Sequence, residues 1–263
     1  MTSVMNNLYL DKIKYSKISP WNKNTNIKNQ PYDLSWKSMF DELFKDKKFV
    51  KIEEILKEEA ENYNNIIVPY PELLFNAFCL TTLDNLKVVF IGQDPYFNLE
   101  DNIPQAMGLS FSIPDKIKTP SSLSNIYKNL KNNNHLLFDI KSGNLEFWAL
   151  QGCLMLNSSL TVKIGDKNKN CHQKLWNWFT NKIISYISEN TEQTIFVLWG
   201  NNAYEKHKLI DLDKHQIIIS SHPSGLSADK KLKDYSSFNE QDHFGLINKY
   251  LKQWNKTEII WQI

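Results

Sequence analysis

Four short polar segments, each at the end of an apolar run, carry the side chains in this sequence best suited to chemistry. Gln93-Asp94-Pro95-Tyr96 follows Val88-Val89-Phe90-Ile91-Gly92, and Asn157-Ser158 follows residues 153–156. Gly200-Asn201 follows residues 194–198, and Ser221-His222-Pro223-Ser224 follows residues 216–220. A fixed carboxylate can stabilise positive charge or orient a water, and an imidazole can donate to a group gathering negative charge. An amide donates and accepts at once. Taken singly, these residues also have plain structural readings: Asn157 as a turn cap, His222 as the start of a turn before proline. Four such segments, distant in sequence and meeting on one edge, argue for a site.

The elements that must position them follow from the apolar pattern. A strand is expected at residues 87–91, where Val88 to Ile91 are apolar continuously rather than alternately, which is how a buried parallel strand reads. Pro95 ends that strand and biases Asp94 toward an extended backbone. The carboxyl ends of parallel strands are where open α/β sheets bind ligands. Helical spacing separates the four strands at 121–131 with 145–150, at 172–188 and at 202–209. Further helices are expected around Trp36, Phe40, Leu43 and Phe44, around Phe49, Ile52 and Leu56, at 72–80, and at 242–254. The pattern implies an α/β fold, a central four-stranded parallel sheet flanked by helices. A single domain is expected over residues 31–263. Residues 1–30, rich in Asn and Lys and without periodicity, are read as a mobile N-terminal arm.

Composition narrows the class. With 263 residues, 41% of them hydrophobic, the chain can bury one sizeable core. No apolar stretch approaches the roughly 20 residues that span a bilayer, and the first fifteen residues carry charges where a secretory signal would be apolar. Cys79, Cys153 and Cys171 form no pairing or metal-ligand pattern, which suits a reducing, intracellular compartment, nuclear or cytoplasmic, and argues against a structural metal. All 31 basic residues are lysine, so phosphate contacts fall to lysine, hydroxyls and backbone N–H groups. A net charge of +2 neither announces nor excludes a nucleic-acid partner.

Gly92-Gln93-Asp94-Pro95-Tyr96, Gly108-Leu109-Ser110-Phe111-Ser112, Leu154-Met155-Leu156-Asn157 and His222-Pro223-Ser224-Gly225-Leu226-Ser227 together resemble the motif series of family 1 uracil-DNA glycosylases. Leu74-Phe75-Asn76-Ala77-Phe78, Ser122-Leu123-Ser124-Asn125-Ile126-Tyr127, Leu198-Trp199-Gly200 and Ile259-Ile260-Trp261 support the match, which covers roughly residues 35–263. The resemblance implies hydrolysis of the bond between uracil and deoxyribose in DNA, leaving an abasic site for base excision repair. It implies that the target nucleotide is flipped out of the duplex. Asp94 and His222 would be catalytic: an ionised carboxylate beside the sugar, and a neutral donor to uracil O2. Gln93, Tyr96, Phe111 and Asn157 would bind uracil. Phe111 would stack on the base, Asn157 would read O4 and N3–H, and Tyr96 would exclude the methyl group of thymine. Leu226 would enter the duplex as a wedge, while Ser122, Ser224, Ser227 and Lys230 would grip phosphates. No cofactor or metal is implied. The expected partners are uracil-containing DNA, single- or double-stranded, and replication or repair proteins; no membrane is expected, and the expected state is a monomer.

Some positions depart from the family's pattern. Phe97 stands where most members have histidine, removing a polar group close to Asp94. Residues 98–104 lengthen the loop before Gln105-Ala106, so Phe111 must reach its place by another path. Gly225 replaces a proline, loosening the wedge loop. Thr119-Pro120-Ser121 has fewer prolines than usual, and residues 231–242 differ from the usual segment. The changes at Phe97 and in the 98–104 loop motivate an alternative, a catalytically weakened DNA-binding replication accessory on the same fold. Retention of Asp94, Asn157 and His222 weighs against it. No Gly-x-Gly-x-x-Gly or P-loop pattern supports a third reading, an unrelated enzyme acting on a nucleotide or phosphate ester.

Overall fold

The structure is a computed structural model that describes residues 20–62 and 65–263. Its strands are β1 (Ile67–Val68), β2 (Val88–Gly92), β3 (Leu99–Glu100), β4 (Ile103–Pro104), β5 (Cys153–Asn157), β6 (Val162–Lys163), β7 (Ile195–Trp199) and β8 (Gln216–Ser220). The central sheet is parallel, in the order β5-β2-β7-β8. Every residue of β2, β5 and β7 is buried, as continuous apolar runs require when helices cover both faces.

Register is what makes the site. Gly92 pairs with Asn157, and Trp199 with Ser220, so neighbouring strands end level with one another. The polar residues after each strand therefore emerge side by side at one edge.

The helices are α1 (Lys37–Leu43), α2 (Lys47–Glu61), α3 (Asn76–Leu80), α4 (Ser121–Asn132), α5 (Glu146–Leu150), α6 (Gln173–Asn190), α7 (Asn201–Tyr204) and α8 (His243–Gln253). In α6 the residues Trp176, Phe179, Ile183 and Ile187 recur at helical spacing and are all buried. Phe179 meets Phe40 of α1, Phe49 of α2 and Phe75, with ring centroids 6.3, 5.7 and 6.2 Å away. Among the described residues, no helix is long and apolar enough to cross a membrane.

Two expectations are corrected. Residues 72–80 are not one helix: a 3-10 turn, Pro71–Leu73, precedes α3. The break accommodates the segment that leads to Phe111. Asn76 Nδ2 donates to the Met107 carbonyl at 2.9 Å, and Gly108 approaches the Leu73 carbonyl so closely that a Cβ would lie 1.8 Å from it. The body also begins earlier than residue 31. Trp21 and Ile27, placed by sequence in a mobile arm, are 7% and 1% exposed. Trp21 Nε1 donates to the Pro69 carbonyl at 2.8 Å, and the Ile27 N–H donates to Glu53 Oε1 at 3.1 Å. Isolated anchors of this kind leave no periodicity to read. Residues 1–19 of that arm lie outside the described residues.

Candidate active site

The exits of β2 and β5 are knitted together. Ser158 donates its N–H to the Gly92 carbonyl, and Ser159 donates to that of Gln93, both at 2.9 Å. Asn157, the last residue of β5, is 8% exposed and turns its amide across Gly92. A Cβ at position 92 would lie 2.2 Å from Asn157 Oδ1 and 2.8 Å from Ser110 Cβ. Glycine is therefore required there by close approach.

Phe111 reaches the same edge from the second motif, Gly108–Ser112. Its N-terminal neighbour Ser110 donates to the Met155 carbonyl of β5 at 2.9 Å. Phe111 has φ +63°, an uncommon value for a side chain of this size and a sign of local strain at a functional place. Its ring lies 5.5 Å from Trp199 and 5.9 Å from His222, centroid to centroid. The Tyr96 hydroxyl is 3.5 Å from the Phe111 carbonyl, and burial raises the phenol's pKa, so it stays neutral. The lengthened loop before Phe111 is a β-hairpin, β3 with β4. Asp101 and Asn102 form its tip with φ +50° and +61°, the pair of left-handed residues that a tight hairpin turn demands.

His222 follows β8 and packs against Gly200, where a Cβ would come 2.9 Å from its own. The Ser224 N–H donates to His222 Nδ1 at 3.0 Å, which leaves the proton of the neutral ring on Nε2. Burial, with a further push from the charge of Lys169, lowers its pKa to about 4. Asn125 of α4 steadies the loop by donating from Nδ2 to the Pro223 carbonyl at 2.8 Å.

Asp94 is half-buried, and burial raises its pKa; the Asn170 N–H, the Lys169 charge and its own backbone N–H oppose that rise. The Asn170 N–H donates to Asp94 Oδ2 at 3.1 Å. Phe97 packs into a separate small apolar cluster with Val68, Ala106, Val162 and Ile164. Val68 and Val162 are paired across β1 and β6, so this ring fastens the β1–β6 ribbon.

The residues expected to touch DNA lie on two neighbouring pieces joined by the Asn125–Pro223 bond. Ser122 is in the first turn of α4, whose free N–H groups favour an anion. Ser224 accepts the N–H groups of Ser227 and Ala228, each at 2.9 Å, in a tight turn. Leu226 stands on that turn, 82% exposed, and Lys230 is exposed just beyond it. Sequence reasoning missed Lys169 and Asn170, because Lys167-Asn168-Lys169-Asn170 looks like any solvated loop. It also missed the close approach at Gly92, although a glycine ending a buried strand was a usable signal. Among the described residues, no group of three or more His, Cys, Asp or Glu side chains is placed to hold a metal ion.

Known proteins are similar to this chain over most of its length. The family model described as the uracil DNA glycosylase superfamily matches residues 80–252. Uracil-DNA glycosylase of Fusobacterium nucleatum is 42% identical over 229 residues, 87% of this chain and 95% of that one. A probable uracil-DNA glycosylase of Acanthamoeba polyphaga mimivirus is 38% identical over 250 residues, 90% of this chain and 67% of that one. The crystal structure of mimivirus uracil-DNA glycosylase superposes with a TM-score of 0.86 at 38% identity, covering 92% of this chain and 91% of that chain.

Proposed function

This chain belongs to the uracil DNA glycosylase superfamily and excises uracil from DNA, and we propose that it does so with Asp94, His222, Asn157, Tyr96, Gln93 and Phe111. The observation that carries the assignment is the level ending of the parallel strands, which sets Asn157 across Gly92 and His222 beside Phe111. The reaction is a hydrolysis: the bond between uracil N1 and the sugar breaks, and water adds to the sugar carbon. Flipping the nucleotide costs a few kcal/mol of stacking and pairing. Stacking on Phe111 returns about 1–3 kcal/mol.

Asn157 matches the acceptor O4 and the donor N3–H of uracil with one amide. Cytosine presents the opposite pattern, and the unpaired buried groups it would leave make its rejection strong. Tyr96 meets C5 and excludes the methyl group of thymine. Asp94, ionised, stabilises the positive charge that develops on the sugar and orients the attacking water. His222, neutral with its proton on Nε2, donates to uracil O2 as the base leaves with the bonding electrons. Gln93 contributes contacts to uracil and water.

On the DNA, Leu226 fills the gap left by the flipped nucleotide, and Ser122, Ser224, Ser227 and Lys230 hold phosphates. We further propose a monomer that accepts single- and double-stranded DNA, works beside replication or repair proteins, and resides in a reducing intracellular compartment. The unpaired Cys79, Cys153 and Cys171 support the last point. The relatives that match are named glycosylases, and nothing among them favours the accessory reading.

The test is incubation of the purified chain with labelled DNA carrying one uracil, in EDTA, beside Asp94→Asn. Strand cleavage at an abasic site after alkali, strongly reduced in the variant, is the expected result. No product from folded wild-type protein, on single or double strands, would remove the assignment.

A further inference from the structure

We propose that Asn170 is a positioning residue for Asp94, and that a chain of side chains behind it, the buried His172 and Thr161 with the partly buried Glu59, holds it in place. The inference rests on the reading of Asp94 as the catalytic carboxylate. Asn170 approaches Asp94 twice. Its backbone N–H donates to Oδ2 at 3.1 Å, and its side-chain nitrogen, with the amide turned to donate, lies 3.2 Å from both carboxylate oxygens. In that orientation its amide oxygen accepts from Gln93 Nε2 at 3.0 Å, so one residue touches two members of the site. Its φ of +60° is one that asparagine adopts more readily than most residues. Phe97, adjacent to Tyr96 in the chain, supplies no polar side-chain atom, and Asn170 arrives from a segment distant in sequence.

The segment carrying Asn170 is tied down on both sides. Asn168 donates its N–H to the Gly165 carbonyl at 2.9 Å, and the Cys171 N–H donates to the Asn168 carbonyl at 3.0 Å. The Gly165 N–H donates to the Phe97 carbonyl at 2.9 Å, joining the segment to the loop that follows Asp94. Two residues past Asn170, His172 is 2% exposed, with both ring nitrogens engaged. Nε2 donates to Glu59 Oε2 at 2.7 Å, and Nδ1 lies 2.7 Å from Thr161 Oγ1. Thr161 Oγ1 also accepts from Trp176 Nε1 at 2.7 Å, while Lys163 Nζ donates to Glu59 Oε1 at 2.9 Å. Removing one partner of this partly buried network leaves polar or charged groups unpaired beside the buried His172, so the network resists displacement of that ring. Only Cys171 separates this anchor from Asn170. A carboxylate whose donors are held rigidly needs no reorganisation as charge develops opposite it.

The experiment follows single-turnover excision of uracil from labelled DNA across pH, using the full chain. Glycine suits φ +60°, so Asn170→Gly removes the amide without adding backbone strain. The expected result is a fall in the single-turnover rate constant of roughly 10- to 100-fold, while the steady-state KM, measured beside it, stays within about twofold of wild type. The acid limb of the profile moves to higher pH, because a donor favouring the ionised carboxylate has gone. The charge that acts on Asp94 is that of Lys169, which the variant leaves in place, and His222 is neutral over most of the range. Asn170→Asp keeps the size but sets a second carboxylate beside the first, and should move the limb further. Glu59→Gln should move it in the same direction by less.

An acid limb unmoved in both Asn170 variants overturns the proposal, whatever happens to the rate constant, since a purely structural residue leaves that limb in place. Glu59→Gln with lowered Tm but an unchanged profile removes the Glu59–His172 anchor from the proposal. Asp94→Asn separates this inference from its premise. Undiminished excision in Asp94→Asn refutes the catalytic carboxylate itself. Its loss, together with a wild-type profile in Asn170→Gly and Asn170→Asp, refutes the positioning role alone.

Discussion

The backbone N–H of Ser224 donates to Nδ1 of His222 at 3.0 Å, and this bond decides which end of the imidazole faces the leaving base. Nδ1 is occupied as an acceptor, so Nε2 carries the proton. Burial, reinforced by Lys169, holds the ring's pKa near about 4, against an ordinary 6.5. The excision rate should therefore show no break near pH 6.5, and imidazole NMR should report the Nε2–H tautomer without titration until pH approaches 4. The sign for stability follows from the same depression. Between 4 and 6.5 the unfolded chain binds more protons at this site, so the contribution present above 6.5 is lost as pH falls toward 4. A His222 resonance titrating near neutrality would overturn the neutral-donor role.

Gly92→Ala tests the close approach at the strand end. The new Cβ would stand 2.2 Å from Asn157 Oδ1 and 2.8 Å from Ser110 Cβ, so the buried amide must turn. Overpacking of this kind costs about 1–3 kcal/mol of stability. Excision should fall more than that loss of stability explains, because the amide that reads uracil is the group displaced. Urea denaturation beside kcat/KM on a uracil substrate measures both. Full activity with an unmoved stability would show that the Asn157 orientation is not used.

His222 and Asn170 show how far the sequence could be read. His222 was visible as a polar residue after an apolar strand, and the strand ends differ from expectation by no more than about one residue. Continuous apolar runs and Pro95 carry that information locally. Asn170 was not visible, because its role comes from φ +60° and from a bond to Asp94 that only the folded loop creates. Trp21 was hidden for a similar reason: a single indole donating to the Pro69 carbonyl fastens the chain without any repeating pattern. Phe97 was legible as a lost polar group but not as the anchor of the β1–β6 ribbon, which forms between segments far apart.

Base choice rests on two side chains of different kinds. Asn157→Asp replaces the donor half of the amide, so uracil excision should fall and some cytosine excision should appear. Tyr96→Ala removes the ring proposed to meet C5 and should admit thymine. Both are read by competition between labelled duplexes with uracil, cytosine or thymine at one position. Rejecting a base by mispaired buried groups reaches about 10⁴-fold or more, whereas a single methyl group is worth roughly 10- to 200-fold. Selectivity against cytosine should accordingly suffer more in Asn157→Asp than selectivity against thymine in Tyr96→Ala. Unchanged selectivity in either variant removes that residue from base readout.

Leu226 offers a test that separates binding from folding. Its side chain is 82% exposed, so Leu226→Ala should leave Tm unchanged. On duplex DNA the same change removes an apolar group that fills the space of the flipped nucleotide, worth about 1.5–3 kcal/mol when fully buried. Excision from duplexes should drop by roughly 10- to 100-fold, with a much smaller loss on single strands, where no stack needs wedging. Gly225, the neighbour on the turn, has no atom within 4 Å of a would-be Cβ and no left-handed φ. Gly225→Ala should therefore fold normally, gain about 0.4–1 kcal/mol by restricting the unfolded loop, and excise uracil from duplexes at least as well as wild type, because a stiffer loop loses less freedom when Leu226 inserts. Equal loss on single and double strands in Leu226→Ala would show that the leucine is not a wedge.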